Sequence, residues 1–207
     1  MDLSEEKLDA LREIAHVGAG NASKSLSELT DEKVEVTFPN IRSHRIKDVP
    51  DLLGGYSQPV TVVAIKVSVK NHEGDDETKL GHLLLSLDWE SAKQLAEDLT
   101  SQEVEGEELS EMQRSSLSET GNILAGSCLA AITEYVDLKL VEGVPQQGTD
   151  LLGAIMDEYL LEVAEEEDEV LVFETNFSLQ KETKAFFMLI FEPGKYDLIL
   201  DRIEVDQ

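Results

Sequence analysis

The chain is short of the residues that make disulfides, membrane spans and nucleic-acid grips. Among its 207 residues there is one cysteine, Cys128, which excludes an internal disulfide framework and points to a reducing compartment. No run of about 18 apolar residues occurs, so no transmembrane helix is expected. The opening residues, MDLSEEKLDALREI, are acidic and amphipathic, the wrong pattern for a secretory signal, and a cytoplasmic protein is expected. Basic residues are scarce: 17 Lys and Arg stand against 44 Asp and Glu, for a net charge of −27. Nucleic acid and anionic membranes are gripped by Lys and Arg patches, so neither is an expected partner. Aromatics are few at 5%, yet 41% of residues are hydrophobic, enough for a core and too many for a disordered chain. Such an acid excess suits a counterion-coated surface in a very salty cytoplasm; the plainer alternative is an ordinary acidic soluble protein. If the partners are acidic as well, association is slow at low ionic strength. It recovers once the Debye length falls to about 3 Å near 1 M salt.

What the chain does contain is an echo of itself. Asp9 to Asn21, DALREIAHVGAGN, aligns with Ser115 to Ser127, SSLSETGNILAGS, at a shift of 106 positions (119 − 13). Glu13 falls on Glu119, Val17 on Ile123, Ala19 on Ala125 and Gly20 on Gly126; farther on, Glu28 meets Glu134, Lys33 meets Lys139 and Pro39 meets Pro145. Helical periodicity alone does not align glutamates, glycines and prolines at one shift. The reading is an internal duplication, one domain of two repeats covering about 1–99 and about 110–207.

Within the first repeat, Ser4 to Leu29 reads as a helix, with Leu8, Leu11, Ala15, Gly18, Ala22 and Leu29 on one side. Asp2 with Glu5, or Ser4 alone, caps its start. A strand, KVEVTF, is expected to end at Pro39, and 50–59 is a loop broken by Gly54 and Gly55. Strands at Val60 to Val69 and Leu80 to Leu87 are joined by a polar turn at Gly74. Asp88 then caps the helix WESAKQLAEDL. Thr100 to Glu108 is the acidic joint between repeats.

Ser110 and Gln113 form a capping box for a second long helix, Glu111 to Tyr135. A strand from Leu138 to Val144 is expected to stop at Pro145, and QQGT to turn into a helix from Asp150 to about Ala164. After the acidic run EEEDE come strands at Val170 to Leu179 and Lys184 to Phe191. The second, FFMLIF, is apolar enough to be central and covered on both faces. Pro193-Gly194 leads into a final segment ending at Arg202. The fold class is α/β: largely antiparallel sheet packed with two long helices related by a pseudo-twofold axis.

Asp9, Glu13, His16 and Gly20 are spaced by four, three and four, so they share one helix face; Ser115, Glu119, Asn122 and Gly126 repeat the pattern. This stripe lies opposite the apolar side. A glycine inside a helix costs about 1 kcal/mol relative to alanine, so its recurrence at Gly20 and Gly126 suggests close approach by another backbone. The bland alternative is two solvated faces with coincidental polar residues. A second set, Ala19, Ala22 and Ser25 against Ala125, Cys128 and Ala131, marks close packing, with Cys128 buried and inert.

The pattern D/S-xxx-E-xx-N, a small-residue run and a proline, complete in the second copy and with His16 at the asparagine position in the first, resembles the CheC family of chemotaxis phosphatases, with CheX and FliY as relatives. The segment LREIAHVGAGNASKSLSELTDEKVEVTFPNI is similar to that family's first motif over its whole length, and the resemblance extends over essentially the entire chain. It implies a CheC-like pseudo-twofold fold and, with the acidity, a salt-adapted archaeal host. It also implies an enzyme that dephosphorylates the aspartyl phosphate of a CheY-type response regulator. Asn122 would orient the attacking water and Glu119 would hold the regulator, with Ser115 beside them. Glu13, His16 and Asp9 would form the matching first site. No cofactor of its own is implied, since the regulator carries the Mg²⁺.

The family's first asparagine is replaced here by His16, so the second site is expected to carry most of the activity and the first to be weak or merely to dock the regulator. PQQGTDLLGAI is similar to the family segment whose aspartate opens a helix that binds the receptor deamidase CheD, which implicates Asp150; an ordinary N-cap is the alternative. A different class of function, a non-catalytic adaptor for CheY, CheD or the motility switch, is favoured by His16, whereas the intact Glu119–Asn122 pair favours the enzyme.

Other signals carry little. GAGN sits inside a helix and follows no strand, so it is not a dinucleotide loop. His16, His44, His72 and His82 lack ligand spacing, and no metal site is expected. Trp89 reads as packing. The runs 103–108 and 165–169 read as solvated turns and not as calcium loops.

Overall fold

In the computed structural model the described residues are 5–70, 77–136, 138–160, 169–192, 195, 197–200 and 202–203. Helix α1 (Glu5–Thr30) leads into strand β1 (Glu35–Arg45), a single 3₁₀ turn (Ile46–Asp48) and short helix α2 (Val49–Leu52). Strands β2 (Pro59–Lys70) and β3 (Glu77–Asp88) follow, then helix α3 (Trp89–Thr100). The second half opens with helix α4 (Glu111–Val136) and continues with β4 (Leu140–Glu142), β5 (Gln146–Leu151) and α5 (Leu152–Leu160). Strands β6 (Glu169–Ser178) and β7 (Glu182–Phe191) and the short helix α6 (Asp197–Leu200) complete it. The caps expected at Asp2 and Ser4, the turn at Gly74, the helix end near Ala164, the run EEEDE before Glu169 and the turn Pro193-Gly194 lie outside the described residues.

One seven-stranded sheet carries the molecule, in the order β1-β6-β7-β3-β2-β4, with β5 also on β2. All of its ladders are antiparallel. The order is a palindrome under exchange of the halves: β1 answers to β4 and β5, β2 to β6, and β3 to β7. The pseudo-twofold axis therefore passes between β3 and β7. The same shift that aligns the sequence lays Pro39, inside β1, on Pro145, between β4 and β5.

Each face of the sheet has its own core. Beneath α1, α3 and α4 lie Leu11, Leu26, Leu95, Leu117 and Leu124 with Val63, Leu85 and Phe187. On the other face Val49 of α2 and Leu152 and Ile155 of α5 cover Val62, Leu84, Met188 and Ile190. Strand β7, between β6 and β3, contributes alternate residues to both, as the unbroken apolar run FFMLIF requires. Trp89 packs against the first core.

Local chemistry sets the starts of α3 and α4. Asp88 Oδ1 accepts from the Ser91 amide at 2.7 Å and caps α3. Ser110 and Gln113 exchange hydrogen bonds in a full capping box at α4: the Ser110 amide donates to Gln113 Oε1 at 2.9 Å and the Gln113 amide to Ser110 Oγ at 3.3 Å. On α1, Ser23 Oγ and Ser27 Oγ accept from the Val36 and Val34 amides, each at 2.8 Å. These bonds satisfy donors on the outer side of edge strand β1 and stitch it to the helix.

Three expectations are corrected. Pro39 does not end the first strand; β1 runs on to Arg45, with its ladder to β6 slipping between Thr37 and Asn40. An edge strand tolerates a missing N–H at such a bulge. Gln146–Leu151 is a strand on β2 and not a turn, and the following helix begins at Leu152, so Asp150 does not open it. Leu29 belongs to the exposed surface and not to the buried side of α1.

The backbone approach expected at Gly20 and Gly126 occurs instead at Gly18, while Gly121 and Gly126 each face a side chain. A Cβ on Gly18 would stand 3.1 Å from Cys128 Cα, where α1 crosses α4. One on Gly121 would lie 2.6 Å from Cγ1 of the fully buried Val63, where α4 crosses β2. A Cβ on Gly20 would meet nothing within 4 Å. Gly121→Ala is therefore expected to lower stability by about 1–3 kcal/mol through overpacking. Gly20→Ala is expected to raise it by about 1 kcal/mol, the helix propensity difference; urea unfolding midpoints of the two variants check both signs.

Candidate functional site

The rotation of α4 about its axis is set from below and from the side. Leu117, Thr120, Gly121, Leu124, Ala125 and Cys128 are buried. At the helix start, the Gln113 side-chain amide donates to the carbonyls of Gln102 at 3.2 Å and Glu103 at 3.4 Å, pinning the acidic joint beneath it. Ser118 Oγ donates to Gln147 Oε1 of β5 at 3.1 Å. With those residues turned inward, Ser115 and Glu119 are exposed and Asn122 is half-buried. Glu119 and Asn122 are three residues apart, so their Cβ atoms are about 5–6 Å apart on the helix surface.

The stripe ends under a carboxylate. A Cβ on Gly126 would stand 2.9 Å from Glu142 Oε2 and 3.2 Å from Oε1. The glycine makes room for a side chain from β4, not for a backbone. Partial burial pushes the Glu142 carboxyl above its ordinary range.

On α1 the corresponding residues, Asp9, Glu13, His16 and Gly20, are all exposed. Asp9 is engaged by the Arg12 guanidinium one turn along. Among the described residues, the side chains of Glu13, His16, Glu119 and Asn122 make no hydrogen bond or ion pair. Both stripes thus hold polar groups whose hydrogen-bonding capacity is left to solvent or to another molecule. An amide offers a donor and an acceptor, and a carboxylate one turn away offers a charge-assisted acceptor. That pair can orient a water and grip a cation on a partner; neither member has the adjacent base that would make it a nucleophile.

The small-residue set divides. Ala19, Ala22, Ala125, Cys128 and Ala131 are buried, as close packing requires, whereas Ser25 is exposed. Asp150, on β5, is exposed, and its Oδ1 accepts from the adjoining Leu151 amide at 2.7 Å. It lies on a different element from the two stripes. No three His, Cys, Asp or Glu side chains converge on a possible metal position among the described residues.

Residue patterning missed the surroundings of the second stripe. A groove of about 630 Å³ runs beside it, lined by Leu29 and Thr30 from the end of α1, Leu99 from α3, and Met112, Ser115 and Glu119 from α4. Met112 stands seven residues before Glu119, two turns back on the same face. That spacing was readable. The contribution of Leu29 was not, because it depends on α1 and α4 running antiparallel.

No family model matches the chain. It is 29% identical over 194 residues to the CheY-P phosphatase CheC of Bacillus subtilis, spanning 91% of this chain and 89% of that protein. It is 25% identical over 156 residues, 73% of this chain and 75% of the other, to a putative CheY-P phosphatase CheC1 of Halobacterium salinarum. Among solved structures, FliY of Thermotoga maritima has the same fold, with a TM-score of 0.74 and 22% identity over 98% of this chain and all of that one.

Burial pushes the Cys128 thiol up to about 12, from an ordinary value of 9.0. At pH 8 the folded chain is therefore expected to resist a thiol-specific reagent that labels it fully once urea has unfolded it. Between about pH 9 and 12 the unfolded thiol ionises and the buried one does not, so stability falls with rising pH in that window.

Proposed function

We propose that this chain, which belongs to the CheC/CheX/FliY family, hydrolyses the aspartyl phosphate of a CheY-type response regulator. The carrying observation is the Glu119–Asn122 pair, one turn apart on the outward face of α4 with no side-chain partner among the described residues, in a chain related over most of its length to a CheY-P phosphatase. In this reading α4 lays its stripe against the phosphorylated pocket of the regulator. The Asn122 amide oxygen accepts a hydrogen bond from the attacking water and holds it in line. Water oxygen bonds to phosphorus as the bond from phosphorus to the aspartate oxygen breaks, releasing a carboxylate and inorganic phosphate. Glu119 grips the regulator, through its lysine, by a charge-assisted hydrogen bond. The regulator supplies the Mg²⁺, so this chain's own residues position the water and the regulator and form no bond to phosphorus. That division suits phosphoryl transfer, where catalysis is mostly orientation and charge neutralisation.

The stripe at Glu13 and His16 is the weaker member. An imidazole is bulkier than an amide and presents its donor and acceptor on opposite sides of a ring. His16 favours docking over hydrolysis at that end, and it is the one observation behind a second reading, a non-catalytic adaptor. Capture of CheD at the β5–α5 corner belongs to the same family-based proposal; the exposure of Asp150 and Leu151 supports it.

Single-turnover dephosphorylation of a phosphorylated CheY-type regulator tests the assignment. Asn122→Ala is expected to lower the rate by about 10²–10³-fold, the scale for losing one positioned group, and His16→Ala to leave it nearly unchanged. Full activity in Asn122→Ala overturns the catalytic role. Absence of turnover in the unaltered protein, with binding retained, favours the adaptor.

A further inference from the structure

The two stripes share a fold but not a surrounding. Leu29 is 56% and Met112 55% exposed, two large apolar side chains left in water on a chain of net charge −27. Both line the groove that Ser115 and Glu119 also line. Met112 lies about 10 Å before Glu119 along the same face of α4, at 1.5 Å per residue. Apolar area of this kind beside outward polar groups marks a contact surface.

The internal repeat supplies its own control. The shift of 106 (119 − 13) that lays Glu119 on Glu13 lays Met112 on Glu6, Ser115 on Asp9 and Leu29 on Tyr135. Glu111, on the rim of the groove, has Glu5 as its counterpart, so that carboxylate is common to both ends. What differs along the stripe is a thioether and a hydroxyl at one site against two carboxylates at the other, one of them held by Arg12. The basic neighbours Lys7 and Arg12 offset part of the charge at the first site, and Val17 on α1 and Tyr135 on α4 are exposed there; what that site lacks is an apolar residue at the position of Met112, where it has Glu6.

We propose that Leu29 and Met112 form an apolar ledge that seats the phosphorylated regulator against Glu119 and Asn122, and that Glu6 in place of Met112 denies such seating at the first stripe. The occupant is the apolar surface of the regulator bordering its phosphorylated aspartate, because the ledge is continuous with the groups that must reach that aspartate. Apolar contact also suits the chain's charge. Added salt screens ionic attraction within about 3 Å at 1 M but does not weaken apolar burial, and excluded salts strengthen it. The ledge rests on the phosphatase reading, and it makes Met112 a specificity-determining residue and not a catalytic one.

The experiment is steady-state dephosphorylation of a phosphorylated CheY-type regulator, with regulator affinity measured in parallel using its beryllofluoride form. Thermal unfolding of each variant establishes that it is folded. Met112→Glu and Leu29→Ser are each expected to raise KM and Kd about tenfold or more, the effect of losing about 1.4 kcal/mol of contact, with kcat little changed. Met112→Leu is expected to keep the original KM. Asn122→Ala, by contrast, lowers kcat. An unchanged KM and Kd in Met112→Glu overturns the ledge, as does a loss confined to kcat. If the unaltered protein binds the regulator without turning it over, the phosphatase reading fails, and the affinity difference between it and Met112→Glu still decides the ledge.

Discussion

Everything outward on this molecule depends on how closely α1 and α4 cross. Gly18 has no Cβ, and one placed there would sit 3.1 Å from the Cα and 3.2 Å from the Sγ of Cys128. Ala19, Ala22, Ala125 and Ala131 keep the rest of the crossing thin. Two helices of 26 residues can then lie on the same sheet face, each burying one side fully. Their polar stripes are forced to the outside. A larger residue at the crossing would lift one helix from the sheet and rotate its stripe, so the outward placement of Glu119 and Asn122 is tied to a contact at Cys128, nine and six residues farther along α4 (128 − 119 and 128 − 122).

The sheet reinforces this by interlocking the halves. Among the described residues β1, from the first half, pairs with β6 of the second, and β4 and β5, from the second, pair with β2 of the first. Each half thus completes the other's sheet. The halves are twins in connectivity but not in detail. Ser23 and Ser27 stitch β1 to α1, whereas the shift places Leu129 and Thr133 at the matching positions of α4, which is instead tied to β5 through Ser118 and Gln147. The stripes differ as the seams do, with Asn122 on α4 where α1 has His16 at the matching position.

Much of this was readable in the residues because it is local or repeated. The Ser110–Gln113 box, the Asp88 cap and the β2–β3 hairpin follow from short-range hydrogen-bonding chemistry. The two stripes follow from helical spacing doubled at one shift. The failures are equally specific. Strand β5, QQGTDL, is almost wholly exposed, so it carries no alternation to betray it. Pro39 reads as a terminator unless the strand is known to lie on an edge. Stripe spacing pointed to backbone contact at Gly20 and Gly126; Gly20 meets nothing and Gly126 meets a carboxylate, while the helix crossing fell at Gly18, whose neighbour Cys128 is distant in sequence. The groove beside Glu119 escaped for the same reason, since Leu29, Thr30 and Leu99 of its lining come from two other helices.

Separation along the helix pair has a consequence of its own. Because Gly18 meets Cys128 while Leu29 lines the groove with Met112, the helices run antiparallel. Glu13 lies five residues from Gly18, and Glu119 lies nine from Cys128 on the opposite side of the crossing. About 14 residues at 1.5 Å each therefore separate the two glutamates along the pair, roughly 21 Å. A globular domain of about 100 residues has a radius of gyration near 13 Å and is therefore about 30 Å or more across. Two bodies of that size, each centred on one glutamate and approaching from the same side, would overlap. A visitor of domain size centred on one glutamate from that side would therefore leave no room for a second so placed on the other.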